Sequence, residues 1–492
     1  MKVWVCQETS PVGSLLPPVD LASIAATIRS KGHDARIADL RLARDPLGHY
    51  LEVLDAFRPD AVLANISTTG AEADYAMLGV TPRDVRRICF GTHVQSLPKE
   101  AFAKGVDAIL VGDPESALAS LIDHDMDGEP SDGVLTPIRP QKPPSRWADL
   151  DTMPLPALDL LDNRAYHSSI IRRGKPFTLM LGSRGCPFSC TYCLYPVLFG
   201  SDNRMRSVKR IVDEMERDYR QFGIEAFYFL DATFNLKASR VEEFCRELIT
   251  RRLPIEWSCN MRVAPVDRGM LGLMKRSGCD WVFYGVEDQD FLDETKKATT
   301  KQQTIDAFRL TKEAGINTVA FTMVFPRPGV TEKSYARDML RVLKTLKADA
   351  FQCNLSIPFP GTELYQDELA KGPPENRWRL YDPHGHELPY DCGIDLVQVK
   401  RRIYRGFLLS HPLRTLKAAS RMNYRALAST VWTFGKENLL SAFVGRAAKR
   451  PSRRPVVRRH DQPAVPVEEK RGCCSTGENQ PSPKLVQLNL SP

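Results

Sequence analysis

The chain has 492 residues, of which 42% are hydrophobic and 26% charged, and its formal net charge is +8. This length exceeds what one hydrophobic core usually supports, so we expect two or three domains. No apolar run approaches the roughly 20 residues that span a bilayer, and the start MKVWVCQETS lacks the apolar core of a signal peptide, which predicts a cytoplasmic protein without a membrane partner. Twelve cysteines in such a chain favour metal or redox ligands over a disulfide framework.

Residues 1–125 alternate short apolar runs with helical patterns. The predicted strands are KVWVC, DARIADL, DAVLANIS, RRICFG and VDAILVG, and VDLASIAATIRSKG predicts a helix that ends at Gly32. Strands that alternate with helices indicate a doubly wound parallel sheet, which binds ligands at the carboxyl ends of its strands. The alternative is a domain that serves only as a scaffold.

The remainder of the chain divides into four predicted segments. Residues 126–170 form a linker, because their many prolines can neither extend a helix nor join a strand ladder. Residues 171–390 hold six strand–helix units, which predict a partial (β/α)6 barrel with its site at the carboxyl-terminal mouth. Residues 391–444 have a basic helical pattern that predicts a helical extension, and residues 445–492 predict a disordered basic tail.

Three cysteines follow the first predicted barrel strand in the stretch SRGCPFSCTYC. Cys186, Cys190 and Cys193 can ligate three irons of a [4Fe–4S] cluster, which leaves the fourth iron open to chelate the amino and carboxylate groups of a bound molecule. Tyr192 is placed to pack against an aromatic base. The alternative is a zinc site completed by a distant cysteine or histidine.

The C-x3-C-x2-C motif, with an aromatic residue before its third cysteine, resembles that of the radical S-adenosylmethionine (radical SAM) superfamily. The resemblance covers residues 177–365 and implies an enzyme that cleaves SAM with an electron from its cluster, supplied by a flavodoxin- or ferredoxin-type reductant. FYFLDATFN, NMRV and WVFYGVEDQD are similar to later motifs of the branch with an amino-terminal cobalamin-binding domain. This similarity implies SAM contacts for Tyr192, Asp231, Arg262 and Glu287.

Two of these implied contacts have simpler alternatives. Asp231 could cap the helix that follows it, and Arg262 could form an ion pair at the surface. Asp288 stands where the branch usually has serine, which weakens the assignment of Glu287 to the ribose hydroxyls.

The first domain also resembles the cobalamin-binding domains of this branch. FGTHVQSLPKEAFAKGVDAILVGDPESAL is similar to their second half, which implies cobalamin contacts for Gly91, Thr92 and His93. The D-x-H-x-x-G motif that supplies a lower axial histidine is absent, and AEADYAMLGVTPRDV is short for the helix normally found there. A cobalamin site and a scaffold that has lost its cofactor both remain open.

The tail carries an adjacent cysteine pair, Cys473 and Cys474. Soft thiolates suit soft, thiophilic centres, and the pair resembles the Cys-Cys tail of radical SAM enzymes that form organoarsenicals, where it would capture a metalloid substrate. Two incidental cysteines are the alternative.

The leading hypothesis is therefore a radical SAM transferase that moves a methyl group to a small molecule in natural-product or antibiotic biosynthesis. One alternative is transfer of the 3-amino-3-carboxypropyl group of SAM to trivalent arsenic, which would form a C–As bond. A non-catalytic cobalamin or zinc sensor is an alternative from another class. A nucleic-acid substrate is not expected, because the carboxyl-terminal helices lack stacking aromatics in a basic groove.

Overall fold

The computed structural model describes residues 2–7, 15–124, 132–168, 175–290, 292–327, 329–372 and 377–410. All of these residues belong to one compact unit. The predicted tail, with Cys473 and Cys474, and the predicted extension beyond residue 410 lie outside the described residues.

The first sheet has six strands in the order β2-β1-β3-β4-β5-β6. They are β1 (Lys2–Gln7), β2 (Asp34–Asp39), β3 (Ala61–Asn65), β4 (Arg86–Phe90), β5 (Ala108–Leu110) and β6 (Val134–Leu135). The first five pair in parallel, and β6 joins β5 in the antiparallel sense. The strand order reverses between β1 and β3, the position where doubly wound sheets open a crevice for ligands. The sheet takes in β6 from the segment that the sequence assigns to the linker.

Six helices connect these strands: α1 (Val19–Ser30), α2 (Pro46–Phe57), α3 (Ala71–Gly79), α4 (Thr92–Ser96), α5 (Pro98–Ala103) and α6 (Pro114–Asp123). Strand β3 is buried along nearly its whole length, as expected for a parallel strand that is covered on both faces. The predicted helix VDLASIAATIRSKG is α1, and Gly32 follows it with a φ of 80°. The doubly wound sheet expected from the sequence is confirmed.

The second sheet is entirely parallel, and its order is β14-β13-β12-β11-β10-β7. Its strands are β7 (Phe177–Met180), β10 (Ala226–Phe229), β11 (Glu256–Met261), β12 (Cys279–Gly285), β13 (Asn317–Val324) and β14 (Ala350–Leu355). A two-stranded antiparallel ribbon, β8 (Ser183–Arg184) and β9 (Arg204–Met205), stands beside it. Within the described ranges the ladder runs from β14 to β7 without closing, which confirms the predicted partial barrel.

The helices of this half are α7 (Tyr195–Phe199), α8 (Val208–Phe222), α9 (Ala238–Arg251), α10 (Arg268–Arg276), α11 (Lys301–Glu313), α12 (Glu332–Leu346), α13 (Glu363–Lys371) and α14 (Leu396–Ser410). Helix α8 shows why they form where they do. Ser207 caps its amino end by accepting from the backbone N–H of Arg210, and Gly223 ends it in the left-handed conformation. Its buried Ile211, Val212 and Met215 recur at helical spacing and belong to the hydrophobic core.

The two halves share one hydrophobic core. The largest cluster of buried apolar side chains includes Trp4 and Cys89 of the first sheet and Trp257 and Tyr284 of the second. Helix α14 packs on α12 and β14, so the chain returns to the barrel after its last strand. None of the helices in the described ranges combines the length and the apolar character that crossing a membrane requires.

Candidate functional site

The three-cysteine loop leaves the barrel between β8 and β9. Gly185 opens it with a φ of 86°, and a Cβ atom there would lie 1.8 Å from the carbonyl oxygen of Asp202, so only glycine fits. The loop then closes on itself, because the Cys186 N–H donates to the Gly200 carbonyl at 3.1 Å and the Cys193 N–H donates to the Cys190 carbonyl at 3.1 Å. The backbone therefore holds the three thiols on one short loop.

The three thiols lie close enough to affect one another's ionisation. Cys186 is buried, whereas Cys190 and Cys193 are half-buried. Burial raises the pKa of Cys193 to about 11, and the negative charges of Cys190 and Cys186 add to the effect. Burial and Cys190 likewise raise the pKa of Cys186. A bound cation would relieve this repulsion, because metals bind the thiolate form.

A single-ion zinc site is not apparent in the part of the chain that the structure describes. No group of three or more histidine, cysteine or acidic side chains within it is arranged to hold one metal ion. Thiols that each bind a different iron of a cluster need not converge on one point, whereas the ligands of a tetrahedral zinc ion must. The C-x3-C-x2-C spacing in the sequence remains the feature that favours a cluster over a single zinc ion.

Asp231 lies directly beneath the start of the cysteine loop. One carboxylate oxygen accepts from the Gly182 N–H at 2.8 Å, and the other accepts from the Ser183 hydroxyl at 2.6 Å. The side chain is 1% exposed, and burial raises its pKa. The helix-capping alternative is wrong, because Lys237 occupies the N-cap of the following helix α9. Both oxygens of Asp231 are used to support the loop.

Arg262 lies at the end of β11, under the same loop. Its guanidinium stacks on the ring of Phe188, 3.7 Å from the ring centroid, and donates to the carbonyl oxygens of Lys297 and Ala298. Its backbone N–H donates to Asn235 at 2.9 Å. The residue is buried, so the alternative of a surface ion pair is wrong.

Glu287, Lys297 and Tyr192 form a polar group beside the cysteines. The Lys297 ammonium donates to Glu287 Oε1 at 3.0 Å and to the Tyr192 hydroxyl at 3.5 Å. The Tyr192 ring contacts Phe325, with 5.5 Å between the centroids. A Cβ atom on Gly285 would lie 2.5 Å from the Lys297 Nζ, so the glycine leaves the space that the lysine fills. Sequence reasoning missed Lys297, because it stands in a loop with no motif of its own.

Asp288 forms a buried network that sequence reasoning also missed. It accepts from Arg327 Nε at 2.7 Å and from the Tyr335 hydroxyl at 2.5 Å. The same hydroxyl accepts from the Phe325 N–H at 2.9 Å. The network ties the segment after β12 to the segment after β13. It stands next to Glu287, which has a positive φ of 54°.

A cavity of about 310 Å³ opens at the carboxyl edge of the first sheet. Its lining includes Gly91 and Thr92, at the start of α4, and Asn65, at the end of β3. Gly91 has a φ of 110°, and a Cβ atom there would lie 2.4 Å from Asn65 Oδ1. Asn65 in turn donates to Asp20 at 2.6 Å, another lining residue that sequence reasoning missed. The cavity lies where a doubly wound sheet binds its ligands.

His93 does not line this cavity. Its imidazole is completely buried between Tyr75 and Trp378, with ring centroids 5.9 and 4.8 Å away. Burial lowers its pKa, although Glu100 at 3.4 Å opposes the effect. The sequence places His93 beside Gly91 and Thr92, but the first turn of α4 directs its side chain into the core.

The other walls of the cavity come from the barrel half. They include Leu181 and Arg184, which precede the cysteines, and Leu198, Phe199 and Arg206, which follow them. Gln95 of the first domain connects the two halves at this wall, because it donates to the Val197 carbonyl at 2.6 Å. The cavity and the cysteine loop are therefore neighbours.

Comparisons with known proteins agree with this arrangement. Residues 180–341 match the radical SAM superfamily. An uncharacterized methyltransferase of Pyrococcus horikoshii is 29% identical over 419 residues, which cover 81% of this chain and 89% of that protein. The hopanoid C-3 methylase of Methylococcus capsulatus is 25% identical over 500 residues, which cover 96% and 93% of the two chains.

A solved structure supports the same fold. The radical SAM methyltransferase TsrM of Kitasatospora setae, in its structure with cobalamin and a [4Fe–4S] cluster, superposes with a TM-score of 0.60. The match has 19% sequence identity and covers 75% of each chain. The three-cysteine loop and most of the partial barrel thus lie within residues 180–341, the part of the chain that matches the radical SAM superfamily, whose enzymes use a [4Fe–4S] cluster and SAM.

Proposed function

We propose that this chain transfers a methyl group from SAM to a small molecule, with cobalamin held at the carboxyl edge of the first sheet. The observation that carries the proposal is the wall shared by the cavity and the cysteine loop, formed by residues such as Arg184 and Phe199. The two sites are thus adjacent, as a transfer between two cofactors requires. The similar proteins named above are methyltransferases, which favours methyl transfer over the aminocarboxypropyl alternative.

Cys186, Cys190 and Cys193 would hold the cluster. The mutual repulsion of their thiolates makes a cationic cluster a favourable ligand, and the loop backbone fixes their positions. When bound, the cluster supplies the electron that cleaves SAM, and cobalamin carries the methyl group. The protein contributes orientation and the exclusion of water.

We assign the SAM site to the polar group beside the loop. Glu287 would accept from the ribose hydroxyls, and Tyr192 with Phe325 offers an aromatic surface to the adenine. The Lys297 ammonium, now paired with Glu287, would meet the SAM carboxylate. Asp231 and Arg262 would act beneath the loop, since Asp231 accepts from the backbone and hydroxyl groups at its start and Arg262 stacks on Phe188 within it.

Gly91 and Thr92 would contact cobalamin from the first domain. Glycine at position 91 lets a ligand approach the backbone at the start of α4. The described lining contains no histidine, so none of these residues would offer an imidazole to the cofactor. The volume of about 310 Å³ falls within the usual range of ligand pockets, roughly 300–1,000 Å³, and admits part of a corrinoid.

The proposal also includes a reducing environment and an electron donor. All nine cysteines whose side chains are described are free thiols, as in proteins of reducing compartments, and we place the protein in the cytoplasm. A flavodoxin- or ferredoxin-type protein would deliver the electron.

The test is product analysis on the full chain, purified and reconstituted without oxygen. The protein is incubated with hydroxocobalamin, a low-potential reductant, a metabolite extract and SAM that carries deuterium in its methyl group. We expect 5′-deoxyadenosine together with S-adenosylhomocysteine and a deuterium-labelled metabolite, and the last two should depend on hydroxocobalamin. The matched control lacks only hydroxocobalamin.

Two other results would contradict the proposal. Methylthioadenosine in place of S-adenosylhomocysteine would show that the aminocarboxypropyl group is transferred. A protein that binds hydroxocobalamin but leaves SAM intact under all conditions would favour the sensor alternative.

A further inference from the structure

A buried network of charged side chains joins the cysteine loop to the first domain. Arg184, two residues before Cys186, donates to both carboxylate oxygens of Glu115 at 2.7 and 2.8 Å. Asp113 Oδ1 lies 3.3 Å from the same guanidinium, and Asp113 also pairs with Arg204. Because Arg184 and Arg204 belong to the two strands that flank the loop, both ends of the loop are tied to one short segment of the first domain.

The same network forms part of the cavity wall. Glu115 and Arg184 both line the cavity. Phe199, which also lines it, packs against the Arg184 guanidinium, with 5.5 Å to the ring centroid. A ligand in the cavity therefore contacts residues that precede the cysteines and residues that follow them.

We propose that Arg184 is a positioning residue that couples occupancy of the cavity to the binding of the cluster by the cysteine loop. The inference rests on the proposed function, because the two ligands are cobalamin and the iron–sulfur cluster. A bidentate arginine–carboxylate pair fixes the orientation of the guanidinium as well as pairing the charges. A movement of one partner is therefore passed on to the other, which a lysine ammonium, a point charge, would not do. A filled cavity denies Arg184 and Phe199 the space to move, which favours the loop arrangement that binds the cluster.

Coupling between two binding sites is reciprocal. If bound cobalamin raises the affinity of the protein for the cluster by some factor, the bound cluster must raise its affinity for cobalamin by the same factor. The experiment is equilibrium dialysis of hydroxocobalamin against the full chain without oxygen, with bound cobalt measured by mass spectrometry. The cluster-loaded protein is compared with the same protein after a chelator has removed its iron. We expect the loaded protein to bind hydroxocobalamin about fivefold or more tightly.

Two variants test the role of the pair. Arg184→Lys keeps the positive charge but loses the fork that binds both oxygens of Glu115, and we expect the affinity ratio to fall towards one. Phe199→Leu removes the ring beneath the guanidinium without changing any charge, and we expect a smaller loss of the ratio. The matched control is Arg29→Lys, because Arg29 forms an exposed ion pair with Asp159 at 2.6 Å and does not line the cavity.

The ratio distinguishes coupling from a general structural role, which would weaken binding equally with and without the cluster. An unchanged ratio in Arg184→Lys would overturn the proposal, and if that variant does not fold, an unchanged ratio in Phe199→Leu would do so. Equal affinities for the two forms of the unaltered protein would overturn the coupling and leave the proposed function intact. Failure of hydroxocobalamin to bind either form would overturn both.

Discussion

The two sheets of this chain present different groups at the carboxyl edges of their parallel strands. The barrel edge presents three thiols on one loop and the charged pair of Glu287 and Lys297. The edge of the first sheet presents a cavity whose described lining contains neither cysteine nor histidine. A metal cluster needs donor atoms of a particular kind, whereas a cofactor held by shape needs space. Only the cluster site can therefore be recognised from the types of residue in the sequence.

Removal of a single thiol should have the largest effect, and it acts on the barrel edge. We expect Cys186→Ala to abolish the iron–sulfur chromophore and reduce SAM cleavage to background, because the two remaining thiols cannot hold the cluster. Iron content, the visible spectrum and hydroxocobalamin binding are measured together. Cys353→Ala, in the barrel core, is the control and should keep its iron. A brown Cys186→Ala protein with full iron content would contradict the assignment.

Lys297 tests the barrel edge without touching a thiol. We expect Lys297→Met to weaken SAM binding about tenfold or more, because a hydrogen bond to a charged group contributes about 1.5–3 kcal/mol. The dissociation constant is measured by equilibrium dialysis on protein with full iron content. Lys301→Met is the control, since Lys301 is exposed and pairs with Asp290 at 2.5 Å. Equal losses of affinity in both variants would indicate a general effect of charge.

Gly91 tests the edge of the first sheet. We expect Gly91→Ala to destabilise the protein by about 1–3 kcal/mol, because its φ is positive and its Cβ atom would meet Asn65. Hydroxocobalamin binding should weaken, while the cluster is retained. Gly32 also has a positive φ, 80°, but no atom lies within 4 Å of an added Cβ there, so the cost of Gly32→Ala should be smaller. Urea unfolding compares the two, and an equal cost would show that the contact with Asn65 is easily relieved.

The last prediction concerns the pH dependence of stability and a buried carboxyl group of helix α8. Burial raises the pKa of Asp218 to about 7, Glu214 adds to the rise, and Arg217 and Arg206 oppose it. The folded state thus keeps a proton that the unfolded state has lost. The unfolding free energy should consequently fall as the pH rises from about 4 to about 7.

The Asp218→Asn variant should remove this slope and melt at a higher temperature than the unaltered protein at about pH 8. Thermal unfolding across this range provides the measurement. Asp213→Asn is the control on the same helix. The hydrogen bond from Lys209 chiefly lowers the pKa of Asp213, so the contribution of Asp213 to the unfolding free energy falls as the pH becomes more acidic, opposite to that of Asp218. A slope that persists in Asp218→Asn would assign the effect to another group.

Local patterns in the sequence predicted much of the fold. Every predicted strand of both sheets is present, because each is a short apolar run bounded by turn residues. The ribbon of β8 and β9 was not predicted, since its strands have only two residues each. The three-cysteine loop was also readable, because its ligands lie within eight residues of one another.

Contacts between distant segments could not be read in the same way. The pair of Arg184 and Glu115 joins residues 69 positions apart, and the pair of Arg327 and Asp288 joins residues 39 apart. Neither pair has a spacing that marks it. His93 shows the opposite error, because adjacency in sequence to Gly91 did not bring its side chain to the cavity.

The sequence by itself determined the alternation of strands and helices, the loop of three thiols and the resemblance of residues 180–341 to the radical SAM superfamily. Periodicity and ligand spacing are local properties, so they can be read from the sequence without knowledge of the fold. Only the tertiary structure decided that Asp231 supports the loop, that Lys297 reaches Glu287 and that the cavity shares a wall with the cysteine loop. These features depend on which surfaces meet when two sheets pack around one core.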